Sequence, residues 1–359
     1  MTAEILSTHT PALFDAAVKR AAELLRAGEV VALPTETVYG LAANAFDEKA
    51  VAKIFQIKGR PANNPVIVHV ASIEMAKRCA AHWPAGADPL AKAFWPGPLT
   101  LVLPGAKEIP GIVTAGGTTV GVRWPGHPFI QAVIRECGFP LAAPSANLSS
   151  RVSPTNAGHV RQQLGDKIPL IVDGGQSQVG IESTVLDLTV SPPLVLRPGM
   201  IHAESLAAAC GEVQSPSAFA SLRRDEKSKV QNLDSALRSP GLLAKHYSPK
   251  AKLFVLSWRD EGDLRFQIST LNPVKGRGPH GALRPQPSTC FVIAHTHIPS
   301  SKHFARVNVI PHDAEAFARA IYAELHRCDE AGADLIVIEA PPESPEWSGI
   351  ADRLRRAAA

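Results

Sequence analysis

Four short stretches carry side chains able to bind or neutralise charge, and each stands beside an apolar run. Residues 34–41 read PTETVYGL, two threonines, a carboxylate, a phenol and a glycine directly after the apolar run 29–33. Polar groups at a strand end, flanked by apolar residues, are where small-molecule sites are built. A hydrogen-bonded turn capping the next element is the plainer reading of the same residues. Residues 58–65 read KGRPANNP, so Lys58 and Arg60 leave a helix into a Gly/Pro turn with Asn64 four residues beyond Arg60. A fixed ammonium and a planar guanidinium fork match phosphate geometry, although the helix dipole alone also favours cations at a C-terminus.

The third stretch, 141–149, reads LAAPSANLS and is followed by SPT at 153–155. Small residues let a ligand approach the backbone, and Ser145, Asn147 and Ser153 offer hydroxyl and amide groups. No G-x-S-x-G elbow surrounds Ser145 and no His/Asp partner can be assigned to it, so binding is favoured over covalent catalysis. The fourth combines DGG at 173–175, GIEST at 180–184 and LRPG at 196–199. Paired glycines after a strand permit positive φ and close ligand contact, and Arg197 at another strand end reaches phosphate or lies on an ordinary hairpin. Two lookalikes are set aside. GIVTAGGT at 111–118 has Gly117 where a P-loop needs lysine. His295 and His297, with His303 and His312 nearby, lack a carboxylate or cysteine pair at metal-ligand spacing.

Elements that position these stretches follow from periodicity. A helix over 13–25 closes at Gly28, the strand 29–33 follows, and Asp47 caps a helix that ends before Gly59. Strands are expected at 65–70, 99–103, 119–123, 141–143, 169–173, 183–188 and 193–197, with helices starting at Ser72 and spanning 128–137. The mixture gives an α/β (α+β-like) fold, a twisted open mixed sheet, over residues 1–205. Residues 206–249, charged and aperiodic around 222–229, read as a linker. Residues 250–359 read strand, helix, strand, helix, a smaller Rossmann-like α/β domain. Its connection 259–288 is rich in Pro, Gly and Arg and is expected to be a long loop.

Composition sets the outer bounds. A chain of 359 residues implies about two domains. A net charge of +4 permits nucleotide contact without arguing for it. Five scattered cysteines fit reduced thiols, and no leader or membrane span is legible, so a cytoplasmic protein is expected.

Taken in order, PTETVYGL, KGRP with NPVIVHV, FWPGPLTLVL, VGVRWPGHP, APSANLS, SPT, DGG, ESTVLDL and LRPG resemble the YrdC-like threonylcarbamoyl-adenylate synthase family. The segment SPGLLAKHYSP and the C-terminal α/β part are similar to its two-domain form. The resemblance implies that L-threonine, bicarbonate and ATP become L-threonylcarbamoyl-adenylate and pyrophosphate, the first step of threonylcarbamoyladenosine formation on tRNA. It implies threonine contacts at Thr37, His69, Arg123, Ala143 and Ser183. It implies ATP contacts at Lys58, Arg60, Asn64, Thr119, Ser145, Asn147, Ser153, Arg197 and Tyr247, with Lys58 and Arg60 catalytic. Mg²⁺, a downstream tRNA threonylcarbamoyl transferase and weak tRNA contact are the further implied partners. Carbamoyl-phosphate processing on the same fold and a purely RNA-binding module are the alternatives. The first lacks its usual cysteine clusters here, and the second lacks aromatic interleaving among the basic residues.

Overall fold

The computed structural model describes residues 2–214, 237, 239–240, 245–271 and 289–359. They fall into two compact units, Met1–Ser149 with Ser153–Leu243, and Ser150–Val152 with Ala244–Ala359.

In the first unit β1 (Glu4–Ser7) leads to α1 (Pro11–Arg26), started by Thr10, whose hydroxyl accepts from Leu13 N, and by Pro11 at the first turn. Gly28, at φ 74°, turns the chain into β2 (Val31–Leu33), and β3 (Gly40–Asn44) returns beside it. Asp47 caps α2 (Glu48–Lys58), and Gly59 ends it in the left-handed conformation. There follow β4 (Val68–His69), α3 (Ile73–Arg78), α4 (Ala87–Phe94), β5 (Leu99–Pro104), β6 (Thr119–Arg123), α5 (Pro128–Cys137) and β7 (Leu141–Ala142). Then come α6 (Ala157–Leu164), β8 (Leu170–Asp173), β9 (Thr184–Asp187), β10 (Leu194–Arg197) and α7 (Ala203–Cys210).

The strands form one mixed sheet in the order β1-β8-β2-β3-β7-β4-β6-β5-β9-β10. Side chains alternate between its faces. Ala32, Leu41, Ala43, Val68, Val122 and Ala142 enter one core with α2, α4, α6 and α7. Val31, Leu33, Ala42, Leu141, Leu170 and Val172 enter the other with α1 and α5. This second core draws its strand residues from β2, β3, β7 and β8 and ends at β7. Beyond it, the same face of β4, β6 and β5 presents His69, Arg123 and Thr100, which are polar. One sheet face is therefore apolar and roofed by helices over β8 to β7, polar at His69, Arg123 and Thr100, and apolar again at Val102, Val185, Leu194 and Leu196.

In the second unit β11 (Lys252–Leu256), α8 (Glu261–Leu271), β12 (Cys290–Ala294), β13 (Arg306–Val309), α9 (Ala314–Glu330), β14 (Leu335–Glu339) and α10 (Ser348–Ala357) build a four-stranded parallel sheet. The order is β11-β14-β12-β13. The central strands β12 and β14 are buried apolar runs, as expected where helices cover both faces, whereas the edge strand β13 is not.

Several expectations shift. The strand expected over 65–70 shrinks to two residues, because Val66 N bonds Val113 O and Val70 N bonds Arg123 O outside the ladder. β1, β3, α4, α6 and β13 were not foreseen; β3 is a Gly/Ala-rich run without β-branched residues. Helix α8 occupies part of the expected loop 259–288, whose residues 272–288 lie outside the described ones. Residue 205 falls inside α7, whose Leu206 is buried in the main core, so no break occurs there. The charged stretch 222–229 lies outside the described residues.

Candidate active site

The loop 34–39 is fixed by its own hydroxyls. Thr35 Oγ1 donates to Val38 O at 2.6 Å, accepts from the amides of Thr37 and Val38, and lies 2.9 Å from Thr37 Oγ1. The loop is then sewn to residues 174–180. Tyr39 donates its phenol to Gly175 O at 2.7 Å and accepts from Gly174 N, while Val179 N and Gly180 N donate to the carbonyls of Glu36 and Thr37. Gly174 is needed here, since a Cβ would lie 2.7 Å from the Pro34 ring. Its close approach thus serves the loop, where the sequence pointed to a ligand.

Arg123 ends β6 directly opposite His69 on β4, in register. Its guanidinium is buried and donates to Gly97 O (3.2 Å), Thr37 Oγ1 (2.9 Å) and Glu36 Oε1 (2.5 Å). Burial pushes the Glu36 carboxyl up, but the Arg123 charge together with hydrogen bonds from the Gly126 amide and the Arg123 guanidinium outweighs it and holds the group below the usual range. For His69, burial and then the Arg123 charge act together and lower the imidazole to about 3. His69 is therefore neutral near pH 7, and its buried Nδ1 has no hydrogen-bond partner among the described residues. Ala143 follows β7, with its amide on Ile67 O at 3.0 Å.

Ser183 sits before β9, with its hydroxyl 2.8 Å from Thr100 Oγ1. Arg197, at the end of β10, donates to Ser183 O through Nε and one terminal nitrogen and also reaches Ser183 Oγ at 3.1 Å. The RPG turn that follows requires its glycine, because a Cβ on Gly199 would lie 2.5 Å from Thr184 N.

At the end of α2, Lys58 is buried and donates to Ser145 O and Asn147 O, both at 2.5 Å. Burial and then the nearby Arg60 charge lower its pKa well below that of a free lysine, with Glu182 opposing them. Glu182 accepts from Ser153 Oγ at 2.6 Å. Arg60 folds back on its own turn, donating to Asn64 O, Asn64 Oδ1 and Pro65 O. The Asn64 carboxamide nitrogen is buried without a partner among the described residues.

Thirteen of the fourteen expected residues thus lie in the first unit, and ten of them form groups joined by contact or register: Thr37, His69 and Arg123; Ser183 and Arg197; Lys58 with the backbone of Ser145 and Asn147; Arg60 with Asn64. Thr119 begins β6, on the same face as Arg123 but at the opposite end of the strand. Tyr247 belongs to the second unit, buried against Tyr322 at 5.9 Å and with the Arg353 guanidinium 5.4 Å from its ring. Glu36, Thr100 and Glu182 were not assigned roles from the sequence. All three lie inside quoted motifs, but only the fold supplies the cation or hydroxyl each one meets.

Similarity to known proteins bears on this arrangement. Residues 23–199 match the family described as "Telomere recombination", and residues 201–359 match "Threonylcarbamoyl-AMP synthase, C-terminal domain". Among curated relatives, threonylcarbamoyl-AMP synthase of Pyrococcus abyssi is 38% identical over 95% of this chain and 93% of its own. That of Bacillus subtilis is 39% identical over 96% and 93%. The solved structure of P. abyssi Sua5 complexed with L-threonine is 35% identical, with a TM-score of 0.84 over 100% of this chain and 98% of that one. Order of motifs, fold and near-full-length similarity agree, and the chain belongs to the threonylcarbamoyl-AMP synthase family in its two-domain form.

Proposed function

We infer that this chain makes L-threonylcarbamoyl-AMP from L-threonine, bicarbonate and ATP, with release of pyrophosphate, as the first step of tRNA threonylcarbamoyladenosine synthesis. The observation that carries the reading is the separation of cations into two kinds of place. Arg123 stands beside a threonine hydroxyl and a neutral histidine, and Lys58 and Arg60 share the end of α2.

In this reading Arg123 grips the threonine carboxylate, a task suited to a guanidinium. Thr37, His69, Ser183 and the backbone of Ala143 complete that subsite, and the neutral imidazole adds no competing charge. The threonine amine takes up bicarbonate, losing water, to give an N-carboxylate. One carboxylate oxygen then attacks the α-phosphorus as the bond to pyrophosphate breaks. Nucleophile and target are both anionic, so Lys58, Arg60 and Arg197 offset their repulsion and the charge that develops on the phosphates. Asn64, Thr119, Ser145, Asn147 and Ser153 hold the nucleotide. Tyr247 keeps its assignment to the nucleotide through the family resemblance alone. No side-chain nucleophile is required, and positioning of the reactants supplies about 7–11 kcal/mol in favourable cases.

Dedicated Mg²⁺ ligands do not fit these residues. Glu182 and Glu36 are engaged by Ser153 and Arg123, and among the described residues no three His, Cys, Asp or Glu side chains form a metal-holding group. A Mg²⁺ ion entering the reaction is the companion of the nucleotide phosphates. Among the described residues no helix is long and apolar enough to cross a membrane. We place the enzyme in the cytoplasm, handing its product to a tRNA threonylcarbamoyl transferase, with weak tRNA contact. The deciding assay is threonine- and bicarbonate-dependent pyrophosphate release from ATP. Arg60→Glu is expected to abolish it, and retained release would remove Arg60 from the ATP site.

A further inference from the structure

The second unit carries a polar cluster that the synthase reaction does not use. It lies at the carboxyl ends of β12 and β14, adjacent parallel strands. From there the chain runs on toward β13 in one case and into α10 in the other, and such divergence at the carboxyl ends is where open α/β sheets bind ligands. His295 and Thr296 follow β12, and His312 stands just before α9. His295 Nδ1, His312 Nδ1 and Thr296 Oγ1 form a triangle whose three sides are each 2.9 Å.

We propose that this triangle is a binding site for one divalent transition-metal ion of the imidazole-preferring kind that takes ligands at right angles, such as Ni²⁺. Ligand atoms about 2.0–2.1 Å from a shared ion and at right angles lie about 2.9 Å from one another, so the triangle matches one face of an octahedron. The tautomer fits as well. Nε2 of His295 lies 3.2 Å from Ala340 O, which can only accept, so Nε2 carries the proton and Nδ1 presents its lone pair. The buried Glu339 carboxylate is 3.9 Å from His295 Nδ1 and adds negative charge behind the site. It is kept out of the ligand set by the amides of His295, Thr296 and His297 and by the His297 ring at 2.7 Å. Those same bonds fix the loop that carries two of the three ligand atoms. The His295 ring is further held against Phe317 and Trp347, with centroids at 5.7 and 5.6 Å. His312 is exposed, which leaves the outer coordination positions to water. The sequence put His295 with His297, two residues apart; folding pairs it with His312 instead. Because the third ligand is a hydroxyl, the site is not a cluster of three His, Cys, Asp or Glu side chains.

The test uses the full chain and Ni²⁺ alone, by isothermal titration and by melting with and without the ion. Wild type is expected to bind one ion per chain at micromolar concentration and to melt at higher temperature with it. His312→Ala, at an exposed position, should weaken binding at least tenfold and remove the melting shift. Thr296→Val, nearly isosteric, should weaken binding several-fold. The metal-free melting temperatures of both variants, within a degree or two of wild type, establish that each is folded. Equal metal-induced shifts in wild type and His312→Ala would overturn the proposal. So would the absence of saturable binding below millimolar ion, which would leave the triangle as a hydrogen-bonded His–Thr–His cluster.

Discussion

The buried Arg123 and the largely buried Glu36 form an ion pair at 2.5 Å, and the same guanidinium donates to Thr37 Oγ1. Glu36 thus aims the cation assigned to the threonine carboxylate without being assigned contact with it. Glu36→Gln is expected to raise the KM for threonine at least tenfold while changing the KM for ATP little. Breaking a buried pair typically costs about 3–5 kcal/mol, so the melting temperature should also fall. The readout is the ratio of the two KM values; an unchanged threonine KM would end the positioning role.

His69 makes stability depend on pH. Its folded pKa, about 3, lies below its ordinary value of 6.5. Below pH 6.5 the unfolded chain takes up a proton that the folded chain refuses, so the contribution is fully present above 6.5 and is lost progressively as pH falls toward 3. The slope is about 1.4 kcal/mol per pH unit for one proton. Denaturant melts between pH 4 and pH 6.5 on wild type and His69→Gln check this, with the variant expected to lose most of that slope.

Lys58 should report nucleotide binding by taking up a proton. Burial and Arg60 lower its pKa in the free enzyme, and an incoming phosphate favours the ammonium. ATP affinity is therefore expected to fall as pH rises from the Lys58 pKa of the free enzyme to that of the complex, and to level off above it. Titration calorimetry in buffers of different ionisation enthalpy measures the proton directly. Lys58→Met should abolish the uptake and reduce turnover by two orders of magnitude or more.

Gly199 tests the geometry beneath Arg197. A methyl group there would meet Thr184 N at 2.5 Å and the Ser183 carbonyl carbon at 2.8 Å, both backbone atoms with little room to yield. Gly199→Ala is expected to cost about 1–3 kcal/mol and, by moving Ser183 and Arg197 apart, to lower kcat. Chemical denaturation together with the pyrophosphate assay separates the two effects.

Much of this was legible in the residues alone. Local signals such as the Asp47 cap, the left-handed Gly59 and the Pro128 start of α5 depend on neighbours a few positions away, and the structure has them where the pattern put them. The motif order likewise carried the family. Short strands and Gly/Ala runs such as β3 escaped because their pairing partners, not their own propensities, make them strands. The tertiary structure alone decided which groups meet. It brought Arg123 to Glu36 across 87 positions of chain, and it engaged Glu182 with Ser153. It buried Tyr247 in the second unit and set His312 rather than His297 against His295. Periodicity and composition record what each residue needs from its near neighbours. The charge that sets a pKa, or the third atom of a triangle, arrives from another strand, and only the packing of the whole sheet determines which one it is.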